Sequence, residues 1–245
     1  MLGLWALHLK TGDAGVVDFG WAASIGLLAP WYAWVSEGAL EQRVLAGAVG
    51  AIWGWRLALY ILRDRLLGGR EDGRYQYLRS HWGAAARWHF LWFFAAQALL
   101  AVLFSLPFWQ IGQHPGPLGA LQLMGLALSA LGLAGETLAD RQLARFRADP
   151  ANQGKTCRGG LWRYSRHPNY FFEWLIWCGI AVQAWPAPYG PWAVLAPAAM
   201  YVFVNFITGI PYTEAQSIRS RGEDYLAYQR ETNAFFPGPY RRHAG

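Results

Sequence analysis

The sequence alternates long apolar runs with short arginine-bearing loops, and that alternation restricts the fold more than any other feature. Crossing a bilayer takes about 20 mostly apolar residues. Six runs qualify, roughly 16–36, 44–62, 88–109, 117–138, 169–186 and 190–210, each bounded by glycine, proline or charge. In lipid every backbone N–H and C=O must be satisfied within the segment, so such runs become helices. The expected fold is an all-α integral membrane bundle of about six transmembrane helices. Residues 1–9 are apolar but too short to span, and are expected as a short extra helix at the interface. The N-terminus has no basic start and no cleavage-type small-residue motif, so it does not read as a signal peptide. The fourth run, "GLALSALGLAG", is rich in small residues that let helices approach closely.

Composition agrees. Apolar residues make up 54% and charged residues 15%, the latter below the roughly 25% of soluble domains. The 15 tryptophans suit membrane interfaces. Nineteen of the 21 Lys and Arg fall on one side of the expected layout. They are Lys10, then Arg63, Arg65, Arg70, Arg74, Arg79 and Arg87 after the second run. Arg141, Arg145, Arg147, Lys155, Arg158, Arg163 and Arg166 follow the fourth. Arg219, Arg221, Arg230, Arg241 and Arg242 follow the sixth. Positive loops stay cytoplasmic, so both termini are expected there, in a bacterial inner membrane. The net charge of +6 sets topology and does not imply a nucleic-acid partner. Membrane lipids are the expected surroundings. Cys157 and Cys178 read as free thiols, and no metal-ligand spacing is present.

Polar residues inside or beside the runs need a reason, because a charge at the bilayer centre costs on the order of 3 kcal/mol. Asp18 and Arg56 either pair to hold two helices or serve a site; Arg56 could also snorkel to the interface. Asn205 reads as interhelical glue. Glu136 and Asp140 are spaced i, i+4 and share a helix face, with Leu143 and Arg147 further along it. Two carboxylates so placed call for hydrogen-bond donors opposite.

The stretch "RYSRHPNYFFEW" (163–174) carries the densest chemistry. Pro168 suits the first turn of a helix. Asn169 and Glu173 then share a face, with Tyr170 and Trp174 beside them. Arg163, Arg166 and His167 add positive charge to a helix N-terminus that itself attracts anions. The reading is an anion-binding mouth with polar groups one turn deeper. A lipid-headgroup patch would account for the arginines but not for Glu173. After the sixth run, a polar amphipathic helix with Tyr225 and Tyr228 on one face is expected to cap that mouth from the cytoplasm, unless it simply lies at the interface.

The segments "ETLADRQLARFRADPANQGK", "GLWRYSRHPNYFFEWLIWCGIAV", "GIPYTE" and "RGEDYLAYQRETNAFFP" resemble the membrane steroid 5-alpha-reductase superfamily. The likeness is strongest to its large bacterial branch of unknown function. It covers nearly the whole chain and peaks from Glu136 to Pro237. It implies a multi-span protein that holds NADPH in its C-terminal half and reduces a carbon–carbon double bond of a lipophilic substrate, such as a steroid-like or other lipid enone. Residues 1–110 would then form the substrate side and 111–245 the cofactor half. The resemblance assigns Glu136, Asp140, Asn169 and Glu173 to cofactor contacts and Arg147 to phosphate. It assigns Glu214 and Tyr225 to a C-terminal cofactor cover. The residue reading adds Lys155, Arg163, Arg166, His167 and Tyr170. Three departures stand out. Phe172 replaces the usual glycine of "NYFGE". The acid–tyrosine pair that polarises the substrate is matched only loosely by Asp18, with Trp53 at the tyrosine position. One of seven spans corresponds to residues 1–9. Asp18, Arg56 and Tyr60 are the candidates for delivering the proton.

Two alternatives remain open. "RHPNY" followed by Glu214 and its tyrosines is similar to isoprenylcysteine and phospholipid methyltransferases, which use S-adenosylmethionine; Phe172 and the lack of a second glutamate beside Glu214 depart from them. A lipid-binding scaffold without catalysis is the other.

Overall fold

A computed structural model describes residues 1–67 and 71–241, the side chains of Asp64 and Arg65 excepted. Arg65, Arg70 and Arg242, counted in the charge pattern, lie outside that description as side chains. The described residues form ten α-helices and no strand: α1 (Leu2–Thr11), α2 (Val16–Val35), α3 (Leu40–Ile61), α4 (Gly73–Trp82), α5 (Ala86–Gly112), α6 (Ala120–Ala148), α7 (Pro168–Ala184), α8 (Leu195–Val202), α9 (Ile210–Arg221) and α10 (Glu223–Glu231). Single π-turns continue α3 through residues 62–66 and α8 through residues 203–207.

Four helical stretches are long and apolar enough to cross a membrane: Leu40–Ile61, Gly73–Gly112, Ala120–Ala148 and Gly190–Arg221. The other two expected spans are helices of 20 and 17 residues, α2 and α7. The protein is a membrane helical bundle, and its surface has the matching character. Trp34, Trp92 and Phe206 are 75%, 73% and 66% exposed, as lipid-facing side chains are and core side chains of a water-soluble domain are not.

The chain divides into two compact units, Met1–Gly119 with Ala184–Ala193, and Ala120–Gln183 with Val194–Gly245. In the first, α2, α3 and α5 pack together, and α1 and α4 pack on α5. The α2–α3 crossing is made by small residues. A methyl group on Gly54 would fall 2.6 Å from the backbone of Gly26, and one on Gly50 would fall 2.2 Å from Ala29 Cβ. Lipid provides no hydrophobic drive between helices, so close van der Waals contact of this kind does the holding. The N-terminal helix is docked by His8, buried edge-on to Phe90 (4.7 Å) and stacked on Phe94 (5.8 Å). Trp5 Nε1 adds a hydrogen bond to the Arg87 carbonyl at 3.1 Å.

Polar ties close the α1–α2 and α4 ends of this unit. Glu71 accepts from the Ala14 N–H (2.8 Å) and from Arg79 (2.6 Å). Asp72 caps α4 by accepting from Arg74 N. Asp18 Oδ1 accepts from the Tyr75 hydroxyl at 2.6 Å, and Oδ2 accepts from Arg74 Nη2 at 3.2 Å. Asp18 is thus an acceptor and ion-pair partner that ties α2 to α4.

In the second unit, α6 and α7 pack along a groove of small residues, and α8, α9 and α10 follow one another in contact. Asn205, expected as interhelical glue, donates instead to the Tyr201 carbonyl one turn back on its own helix (2.9 Å). The π-turn widens the helix there and frees carbonyls for such a bond. Cys157 and Cys178 are free thiols.

Substitution Gly54→Ala should lower the thermal midpoint in detergent, by overpacking worth about 1–3 kcal/mol. Gly3→Ala should raise it slightly, since a methyl there meets nothing within 4 Å and alanine is the better helix former. The two denaturation curves, moving in opposite directions, test the crossing.

Candidate functional site

The site starts from the groove on α6. Gly125, Ser129, Gly132 and Gly135 present a strip without bulk, and α7 lies in it. A methyl on Gly125 would sit 2.5 Å from the Gly179 carbonyl, and one on Gly132 would sit 2.8 Å from the Phe172 carbonyl. The Phe172 ring fills the notch above Gly135, where a methyl would fall 2.3 Å away. The aromatic residue that departs from "NYFGE" is therefore matched by a glycine on the opposing helix. Ser129 and Gln183 supply the polar clasp of this seam: Gln183 Nε2 donates to Ser129 Oγ (3.1 Å), and Ser129 Oγ donates to the Ile176 carbonyl (3.3 Å).

This seam brings the expected polar residues together. Asn169, on the first turn of α7, donates from Nδ2 to Asp140 Oδ1 at 3.3 Å. It is one of the donors that the Glu136/Asp140 spacing called for. Glu136 is buried one turn before Asp140 on α6. Glu173, one turn deeper than Asn169 and also buried, accepts from Trp177 Nε1 at 2.9 Å. Tyr170 stacks on the His167 ring (5.4 Å, 7° between planes), and its hydroxyl lies 3.3 Å from Thr213 Oγ1.

The basic residues of the expected mouth divide into separate settings. Arg166 and His167 turn to one carboxylate, that of Glu214. Arg166 Nε donates to Glu214 Oε1 at 2.7 Å, and His167 Nε2 lies 3.2 Å from the same oxygen. Tyr225 OH approaches it at 3.4 Å, and Gln229 Nε2 donates to Oε2 at 2.7 Å. The rest of the Arg166 guanidinium serves the Gln229 and Thr232 carbonyls, and its backbone N–H serves Asn233. Ser165, fully buried, donates to the Ala234 and Phe235 carbonyls. Arg166 thus holds the C-terminal segment in place, with 11% of its side chain exposed. Arg163 stacks over the Tyr240 ring at 5.1 Å.

Arg158, assigned no role from sequence, straps α10 to the loop before α7 through Asp224 (2.8 Å) and Glu231 (2.9 Å). Tyr228 reaches the Trp162 and Ser165 carbonyls, and Trp162 Nε1 reaches the Ala139 carbonyl on α6. Burial pushes the Tyr225 phenol up to about 12, and the Glu214 charge adds to the shift. Burial pushes Tyr228 up as well. Both tyrosines therefore stay neutral donors.

Arg147 and Lys155 lie elsewhere. With Arg221 they line an open pocket of about 400 Å³, walled by Leu143, Phe146 and Ser220. Arg221 went unnoticed as a site residue because its place in the sequence is the last turn of a polar helix, where basic residues commonly offset the helix dipole.

Removing one partner of a buried ion pair strands the other charge. Glu214→Ala should therefore destabilise the protein by about 3 kcal/mol, read as a lower thermal midpoint and faster proteolysis of the segment after Gly222. His167 gives a pH test. Burial pushes its pKa below the ordinary value, with Arg166 pushing the same way and Glu214 pulling back. The unfolded chain binds the proton first, so the stability contributed by the neutral ring is complete above about pH 6.5 and is lost as the pH falls below that. The drop in thermal midpoint between about pH 7 and pH 5 should shrink in His167→Gln.

No curated protein and no solved structure matches the chain. A family profile does, over residues 4–232. The α6–α7 seam and helices α9 and α10 fall within that match, and the chain belongs to the family described as Protein of unknown function (DUF1295).

Proposed function

We propose that the protein is an integral membrane reductase that uses NADPH to reduce a carbon–carbon double bond of a lipophilic substrate. One observation carries the reading: the polar strip along α6. Glu136, Asp140 and Arg147 follow one another on one face, Asn169 joins at Asp140, and the strip ends at the cationic pocket. From Glu136 to Arg147 the helix rises about 16 Å, at 1.5 Å per residue. Carboxylates suit sugar hydroxyls and an amide, and guanidinium suits phosphate. A ligand with hydroxyls and amide along its length and phosphate at one end meets that order. S-adenosylmethionine carries no phosphate and would leave the cationic end without a partner.

In this reading Glu136, Asp140, Asn169 and Glu173 orient the sugar and amide groups. Arg147 and Lys155 face phosphate. Arg166, His167, Glu214 and Tyr225 keep the C-terminal cover closed, and Tyr170 and Arg163 belong to the same rim. The cofactor supplies a hydride, and the protein supplies binding and electrostatics. A proton completes the reduction. Arg56 and Tyr60 remain the candidates for supporting its delivery, while Asp18 accepts hydrogen bonds from Tyr75 and Arg74 and so is the weakest of the three. The likeness to steroid 5-alpha-reductases supports the same assignment.

Thermal shift of the purified protein in mild detergent tests the proposal. At 100 times its Kd, NADPH should stabilise the fold by about 2.7 kcal/mol. Asp140→Ala should weaken that binding tenfold or more, on the order expected for a hydrogen bond to a charged group, with the unliganded midpoint little changed. Stabilisation by S-adenosylmethionine alone would replace the reading with a methyltransferase. No response to either would leave a lipid-binding scaffold.

A further inference from the structure

Three cations converge on the open pocket at the end of α6: Arg147 from that helix, Lys155 from the following loop, and Arg221 from the last turn of α9. Arg147 and Arg221 act on one another as like charges, and both act on the nearby Cys157 thiol. Asp149 is the carboxylate in the lining, and its Oδ1 accepts from the Ala151 N–H, so it is spent on the turn. Each arginine singly offsets a helix C-terminus. That does not account for their meeting, or for Lys155.

The loop that carries Lys155 is built to hold it there. Asn152 Nδ2 donates to the Phe146 carbonyl (3.0 Å), Lys155 N donates to the Asn152 carbonyl (3.0 Å), and Thr156 N donates to Asp224 Oδ2 (2.7 Å). Gly154 takes φ +76°, a left-handed conformation that favours glycine. On the other side, Arg221 Nη2 donates to Ser217 Oγ at 2.7 Å, and its guanidinium stacks over Tyr225 at 5.2 Å. The like charges are thus held close by bonds that do not neutralise them. Preorganised cations of this kind lower the ordering cost of binding an anion.

We propose that this pocket binds a terminal phosphate monoester, with Arg221 as the contact that joins α9 to the ligand. Asp224 also acts on Arg221 but is bonded to Arg158 and Thr156 N, so three cations face the single, committed carboxylate of the lining and suit a group of nearly two negative charges, whereas a phosphate diester carries one. The monoester could come from a soluble nucleotide or from a lipid headgroup such as phosphatidate. The inference rests on the pocket and deepens the reading that sets Arg147 and Lys155 against phosphate, adding Arg221 and the monoester.

The test is equilibrium dialysis of the full chain in detergent with labelled adenosine 2′-monophosphate. Phosphatidate and phosphatidylcholine, each presented in nanodiscs, serve as competitors. Saturable nucleotide binding that phosphatidate does not displace supports the pocket and names a soluble ligand. Tighter binding of phosphatidate than of phosphatidylcholine supports it and names the lipid. Arg147→Gln, Lys155→Ala and Arg221→Gln should each weaken the monoester about tenfold or more, while Arg141→Gln, outside the lining, should not. If Arg221→Gln fails to fold, Lys155→Ala on its exposed loop still decides. Phosphate monoesters lose their second charge below about pH 6, so affinity should fall there while a diester probe such as diphenyl phosphate shows no such step. The proposal is overturned if neither monoester binds, or if the three variants bind like the wild type. NADPH stabilisation that the variants leave intact would overturn this inference and spare the reductase reading. Monoester binding without NADPH stabilisation would do the reverse.

Discussion

The second unit of the protein depends on one carboxylate. Glu214, on α9, gathers Arg166, His167, Tyr225 and Gln229 from two other parts of the chain, the loop before α7 and α10. Each partner would be costly to bury alone. Together they satisfy one another, and the backbone carbonyls of residues 229–235 fall into place on Arg166 and Ser165. A network of this sort is worth having only when complete, because a half-satisfied polar cluster costs more than an apolar one. The carboxylate thus does for the loop and tail what the glycine strip does for α6 and α7.

These two devices divide the work by environment. Where α6 meets α7 along its apolar length, the helices are held by close contact between small residues, since lipid offers no drive to bury apolar surface. At the polar ends water competes for every hydrogen bond, and charged pairs with several partners take over. Phe172 illustrates the first regime. Its ring looks obstructive in the sequence but lies over Gly135, and the exchange of bulk between facing helices preserves their approach. Arg158, bonded to Asp224 and Glu231, illustrates the second.

The helices, the apolar runs and the need of Glu136 and Asp140 for donors opposite could be read directly from the chain, because each rests on local spacing; that Asn169 on α7 supplies one could not. Helical periodicity put Glu136 and Asp140 on one face, and Pro168 marked the start of α7. The roles of the arginines could not be read in the same way. Arg166 looks like a phosphate ligand beside His167 and Pro168, yet its partner lies 48 positions away at Glu214. Arg221 looks like a helix-end charge, yet it joins Arg147 and Lys155. Charge shows that an anion is wanted without showing whether it is a ligand or a glutamate.

By itself, then, the sequence determined the membrane helices, their order, and the stripe of carboxylates along α6, since these follow from residue type and a period of 3.6. The tertiary structure decided which cations are consumed internally and which remain facing a pocket. It also decided that Asp18 answers to Arg74 and Tyr75. The reason is physical. Periodicity acts over a few residues, whereas an ion pair is chosen by which chain segments folding brings within 4 Å.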